Sequence, residues 1–241
     1  QKVAMMRKPE VRAAIMSEKD IAPDEPGSME NVYGLFKMAA PALYPLDNPV
    51  DYEPDISQCL GAKAGAAGVD PIDYLYDFLL EDGGTRFASL SAVDLPARMG
   101  VLQEMLLHPD TVTGLSDAGA HVTLICDGSM PTTQLAYWTR DREKGEKIPI
   151  EFIVRKQTAL NAQLYGFDDR GTLELGKKAD INVIDMDNLR VSPPVPHHDL
   201  PTGGTRLMQP VSGYINTLCN GTSAREFDQD TGERPGKLVR S

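Results

Sequence analysis

The chain has 241 residues with 41% apolar content, enough to bury a sizeable core in one large domain or in one and a half small ones. Its 24 Lys and Arg against 35 Asp and Glu give a formal charge of −11, which argues against nucleic acid or an anionic membrane as partner, because both need a basic surface. The scattered cysteines Cys59, Cys126 and Cys219 offer no disulfide framework and no Cys-x-x-Cys pair, which points to a reducing compartment, the cytoplasm; no apolar run reaches membrane-spanning length and the opening residues lack a signal-peptide core.

Residues 1–55 read as a lead-in. Pro9 to Ser17 predicts a short helix with proline in its first turn, and a Pro- and Asp-rich stretch follows, with a helical turn near Met29 to Phe36. Ile56, Cys59, Leu60, Lys63, Ala64 and Ala67 then share one helical face that Gly68 ends. Asp70 caps a second helix with Pro71 at its first position and Ile72, Leu75, Tyr76, Leu79 and Leu80 as its buried stripe. Arg86 to Leu90 reads as a short strand. Leu95, Met99, Leu102 and Leu106 form the stripe of a helix that His108-Pro109 ends, and the β-branched run Thr111 to Ser116 reads as a buried strand. Helix, strand, helix, strand with short connections is the pattern of parallel βα units.

A long loop runs from Ala118 to Ser129. Helices are expected over Pro131–Arg142 and Pro149–Tyr165, the second with Phe152, Ile153, Leu160 and Leu164 inward and Gly166 as its stop. The texture then changes. Thr172–Leu175, Ala179–Met186, Val211–Cys219, Thr222–Phe227 and Lys237–Arg240 are strand-like, Asn220-Gly221 is a hairpin turn, and Ser192–Gly204 is a Pro-rich loop. Residues 166–241 thus form a second, antiparallel unit.

Asp117 directly follows the expected strand. A carboxylate at a strand's C-terminal end can act as a general acid or base, while Asp-Ala-Gly is also ordinary turn chemistry; both readings stand on pattern alone. His121, four residues on, either faces the same cleft or is a loop histidine satisfied by backbone. His197 and His198 are adjacent, so their side chains diverge, and His108 belongs to a helix end. No His-x-His, Cys-x2-Cys, nucleophile elbow, P-loop or dinucleotide fingerprint occurs, so the spacing gives no self-contained metal site. Trp138 is expected to pack its own helix.

Several stretches resemble the amidohydrolase superfamily, in particular its N-acyl-D-amino-acid deacylase (D-aminoacylase) branch. Gly171-Thr172-Leu173-Glu174-Leu175-Gly176-Lys177-Lys178-Ala179-Asp180-Ile181, followed by Val183-Ile184-Asp185, resembles the segment leading from barrel to small β domain. Gly114-Leu115-Ser116-Asp117-Ala118-Gly119-Ala120-His121 resembles the branch's eighth-strand motif. His198 to Gly204, Pro235 to Arg240 and Pro9 to Arg12 resemble its late loop, its terminus and a helix upstream of the seventh strand.

The resemblance implies an α/β fold: the C-terminal portion of a (β/α)8 TIM-like barrel over residues 1–165, with a lead-in or lid over 1–55, and part of a small antiparallel β-sandwich over 166–241. It implies a metal-dependent hydrolase of C–N amide bonds using zinc, one or two ions, with Asp117 as catalytic residue and metal ligand and Ser116 and His121 as substrate-binding residues. The family's remaining ligands find no match here and would lie upstream of Gln1, so the chain reads as an incomplete part of a longer enzyme, inactive alone. The implied partner is a small-molecule N-acyl amino acid or related amide, and the family leaves a homo-oligomer open. The contrasting reading is a remnant that kept the fold's tail as an oligomerisation or scaffold module.

Overall fold

The computed structural model describes residues 1–19, 33–89, 95–114, 116, 119 and 122–239. They group into two compact units, Gln1–Met99 and Gly100–Ser241.

The first unit is mainly helical. Helix α1 (Lys2–Met6) is followed by α2 (Pro9–Ser17), which starts at proline as the sequence predicts because Pro9 needs no N–H partner in a first turn. Helix α3 (Tyr33–Ala39) runs into a 3-10 turn at Ala40–Ala42, and the expected turn residues Met29 to Val32 lie outside the described residues. Helix α4 (Leu60–Ala67) is capped by Cys59 and stopped by Gly68 at φ 69°, a left-handed conformation that glycine adopts without penalty. Helix α5 (Pro71–Leu79) is capped by Asp70, whose carboxylate accepts from the Ile72 amide at 2.8 Å.

The core joins Ala40, Leu43, Leu60 and Phe78, with Ile72, Tyr74, Leu75 and Ala88 against them. Two sequence expectations are corrected here. Ile56 lies in a 3-10 turn before α4 and is 71% exposed. The deepest residue of α5 is Phe78, which the predicted stripe omits. Of the predicted stripe, Leu80 is buried and Ile72 and Leu75 pack against the core, while Ile72, Leu75, Tyr76 and Leu79 also line an apolar groove of about 350 Å³ with Ile15 and Met16 of α2. Arg12 of α2 lies beside this groove, 5.4 Å over the Tyr76 ring, and pairs with Asp73 and Asp77 at 2.7 and 3.2 Å.

The strand expected at Arg86–Leu90 is reduced to β2 (Ala88–Ser89), which pairs antiparallel with β1 (Tyr44–Pro45). Helix α6 (Leu95–Leu107) leads on, with Met99 buried and Leu102 and Leu106 half-buried as expected, and ends at His108.

In the second unit, residues 111–114 form no strand, against the sequence reading. A β-branched run needs a neighbouring strand to satisfy its backbone, and here the Thr113 carbonyl is met by a side chain instead: Asn161 donates to it at 3.1 Å. Helix α7 (Met130–Ala136) continues as a π-helical turn, Tyr137–Asp141. Trp138 is buried there, edge-on to Tyr137 with the Arg142 guanidinium 4.8 Å above its ring. The single helix expected over 149–165 is two, α8 (Ile150–Gln157) and α9 (Ala159–Leu164). They break at Thr158, whose hydroxyl donates back to the Val154 carbonyl at 2.7 Å. Leu164, expected inward, is 58% exposed.

Antiparallel strands follow: β3 (Ile181–Ile184), β4 (Arg190–Val191), β5 (Val195–His197), β6 (Arg206–Met208), β7 (Val211–Ser212), β8 (Tyr214–Cys219), β9 (Thr222–Glu226) and β10 (Gln229–Asp230). The main sheet has the order β10-β9-β8-β3, with β4–β7 and β5–β6 as two-stranded pairs. All strand pairing among the described residues is antiparallel, and they form no barrel. The expected strand at Thr172–Leu175 is absent, with Leu173 and Leu175 fully turned to solvent, and Lys237–Val239 is irregular. Within the expected Pro-rich loop, β5 tolerates Pro196 because a two-stranded ribbon leaves one edge unpaired. Asn220-Gly221 turns with both φ values positive, 51° and 80°, as the hairpin signal predicts.

The last hairpin carries a pH prediction. Asp230 accepts hydrogen bonds from Arg234 and from the Gly232 amide, which hold its carboxyl down at about 2. That lies below the unfolded value of about 3.9, so the bonds stabilise the hairpin above about pH 4. The contribution is lost as pH falls through about 2. The Gly232 amide shift, followed by NMR during acid titration, will move with a midpoint near 2 and lose that transition in Asp230→Asn. A midpoint at the ordinary carboxylate value would refute the pairing.

Candidate functional site

The second unit contains a cleft of about 490 Å³ between the loop before α7 and the strands β6 to β8. One wall is the loop itself, through Gly119, Val122, Ile125 and Cys126. The loop is fixed to β6 by a hydrogen bond from the Leu207 amide to the Val122 carbonyl at 2.7 Å. A second wall is the first turn of α7. Its Pro131 sits where no intrahelical N–H partner is needed, which leaves Ser129 and Thr132 turned inward, at 8% and 4% exposure.

Both hydroxyls reach across to the strands. Ser129 donates to the Gln209 side-chain oxygen, and the Thr132 and Tyr214 hydroxyls lie 2.8 Å apart. The floor comes from β8 and the β9–β10 turn. There Asp228, in a left-handed conformation at φ 63°, accepts the amides of Gly213 and Tyr214 at 3.0 and 2.9 Å. Burial, with Asp127 adding to it, pushes the Cys126 thiol up, which keeps it protonated and a poor nucleophile. Val122, Ile125, Leu207 and Val211 add apolar lining to the cleft. Such a cleft suits a small molecule with an apolar arm and a few polar atoms.

Of the residues singled out from sequence, Ser116 is half-buried just before this loop. Asp117 and His121 lie outside the described residues. Gly119, two residues after Asp117, and Val122, next to His121, both line the cleft. The other histidines stay apart. His198 meets Thr205 at 2.8 Å, His197 lies on β5 opposite Arg206, and His108 ends α6. Arg206 holds Asp199 through two bonds of 2.8 and 2.7 Å, which lowers the carboxyl.

Among the described residues no three His, Cys, Asp or Glu side chains come together as a metal site, so these residues do not by themselves fit zinc. Sequence reasoning missed Ser129, Thr132, Gln209, Tyr214 and Asp228. Each is an ordinary polar residue whose role comes from a partner roughly 14 to 82 positions away, and no local pattern marks it.

Comparison with known proteins gives a match to the family described as "Amidohydrolase family", over residues 62–224. An uncharacterized protein of Mycobacterium tuberculosis is 30% identical over 136 residues, covering 56% of this chain and 22% of that protein, and one of Mycobacterium bovis matches equally. A 5-methylthioadenosine/S-adenosylhomocysteine deaminase of Haloarcula marismortui is 28% identical over 186 residues, covering 72% of this chain and 39% of the deaminase. The chain therefore spans between 22% and 39% of the length of these relatives. No solved structure matches significantly.

Proposed function

Because the chain belongs to the amidohydrolase family, with residues 62–224 matched, we propose that it supplies part of the active site of a metal-dependent hydrolase that cleaves C–N amide bonds, of the N-acyl-D-amino-acid deacylase kind. The observation that carries this reading is the cleft of about 490 Å³, whose wall includes Gly119 and Val122 on either side of the Ala120-His121 pair. The deaminase relative, by its name, also acts on a C–N bond, which supports that bond class here.

In this reading Asp117 takes a proton from the attacking water and returns it to the departing nitrogen. Ser116 and His121 hold the substrate's polar atoms, and the apolar lining of the cleft receives its acyl chain. Zinc, as one or two ions, belongs to the reading through the family. Its ligands are assigned beyond the described residues, where Asp117 is one candidate. Residues 1–165 are assigned to the barrel portion and 166–241 to the small β domain, a division supported by the change from helices to antiparallel strands after Leu164.

The test is a substrate panel. Full-length protein is incubated with N-acyl-D-amino acids, their L-enantiomers and simple amides, and the freed amine is quantified. Release from the D-series above the L-series is expected. Absence of amine release across the panel from metal-replete protein would remove the proposal and favour the scaffold reading.

A further inference from the structure

The geometry points to Lys156 as a positioning residue: its ammonium fixes the backbone just past α6, shortly upstream in sequence of the stretch Ser116–His121. This inference rests on the reading of that stretch as the active-site loop.

Lys156 stands on α8 and is 1% exposed, the largest of the fully buried side chains. A buried ammonium normally requires a carboxylate. Lys156 instead donates to the His108 carbonyl at 3.1 Å and the Thr111 hydroxyl at 2.8 Å, with the Phe152 ring 5.7 Å away. Both oxygens belong to the chain just past α6. The His108 carbonyl also accepts the Thr111 amide at 3.3 Å, and the Thr111 hydroxyl reaches the Met105 carbonyl at 2.6 Å. The cation thus lies just past the C-terminal, negative end of α6, where the His108 carbonyl, the Thr111 hydroxyl and the helix dipole stand in for a counter-ion. Burial lowers its pKa, in keeping with oxygen partners that are all neutral.

The arrangement is directional. Residues 111–114 have no strand partner; beyond the local bonds of Thr111 to the end of α6, two side chains of the following helices hold them, Lys156 on Thr111 and Asn161 on Thr113. Asn161 spends its amide on the Thr113 carbonyl while its own side-chain oxygen remains buried without a partner. A residue kept at that cost is aimed at Thr113 rather than merely filling space. Three residues after Thr113 comes Ser116. Moving the clamp moves the origin of the loop.

The test compares wild type with Lys156→Met, which keeps the stem but removes the ammonium, Lys156→Arg, which keeps the charge, and Thr111→Val, which removes one acceptor and leaves the lysine in place. Amide hydrogen exchange is followed in the full-length protein, with turnover measured in parallel beside Asp117→Asn. Lys156→Met is expected to speed exchange over residues 108–116 by about 10- to 100-fold, with the β8–β9 hairpin unchanged. It should also lower kcat with little change in KM. Lys156→Arg should restore much of both, and Thr111→Val should reproduce a milder form should Lys156→Met not fold. Unchanged exchange in both Lys156→Met and Thr111→Val, or a rise spread evenly over the chain, overturns the inference. Normal kcat in Lys156→Met while Asp117→Asn is inactive overturns it too. Normal kcat in Asp117→Asn strikes at the functional reading itself.

Discussion

Replacing Asp117 with asparagine is expected to lower kcat by about 10²- to 10⁴-fold, the usual contribution of a positioned general acid or base. The substitution is nearly isosteric and keeps a side-chain oxygen for turn hydrogen bonds, but an amide cannot take up the proton of the attacking water. Asparagine is also as good a turn residue as aspartate. If position 117 is only part of an Asp-Ala-Gly turn, both folding and turnover stay at wild-type levels. The two readings therefore separate on turnover alone, while stability changes by about 0.5 kcal/mol or less in either case. The measurement is steady-state hydrolysis of the best substrate from the panel, with metal content checked in both proteins. A variant that loses its metal together with its activity would make the carboxylate a ligand; one that keeps the metal and loses turnover would make it the proton carrier.

Local chemistry was legible where a single residue decides a backbone conformation. Pro9 and Pro71 opened helices, Asp70 capped one, Gly68 and Gly166 closed two, and Asn220-Gly221 turned a hairpin, all within a few bonds of the deciding atom. The reading failed where the outcome depends on a partner distant in sequence. Thr111 to Thr113 has the composition of a strand, yet the Thr113 carbonyl is met by the side chain of Asn161, some 48 positions on, and the Thr111 hydroxyl by Lys156, some 45 positions on. The stripe of α5 missed Phe78 for the same reason, since that ring fills a core made with Ala40, Leu43 and Leu60, well upstream in the chain. The candidate site divides in the same way. Its loop was singled out because a run of eight residues resembles a family motif, and Gly119 of that run lines the cleft. Its opposite walls were not, because Thr132 meets Tyr214 across 82 residues of intervening chain.

Those walls depend on one glycine, and its replacement gives the largest stability effect we expect. Gly213 separates β7 from β8 at φ 108°, far outside the range of residues with a side chain. A Cβ there would lie 2.7 Å from the Leu189 Cα and 2.9 Å from its nitrogen, both backbone atoms that cannot rotate away. Leu189 is itself 0% exposed, and its carbonyl is held by Arg140 at 2.7 Å, so β4 has no room to yield. Gly213→Ala is expected to cost about 1–3 kcal/mol for the backbone conformation and about as much again for the overlap, roughly 2–6 kcal/mol together. Gly176 is the control, because it shares a positive φ, 91°, but has open space around it; Gly176→Ala pays for conformation alone. The difference between the two variants in denaturant midpoint therefore isolates the overlap. Val211 and Tyr214 line the cleft on either side of Gly213, whose amide holds Asp228, so whatever movement relieves the clash must also displace the floor of the site. Equal losses in the two variants would mean that β7 slides freely past Leu189, and that the cleft is less fixed than its hydrogen bonds imply.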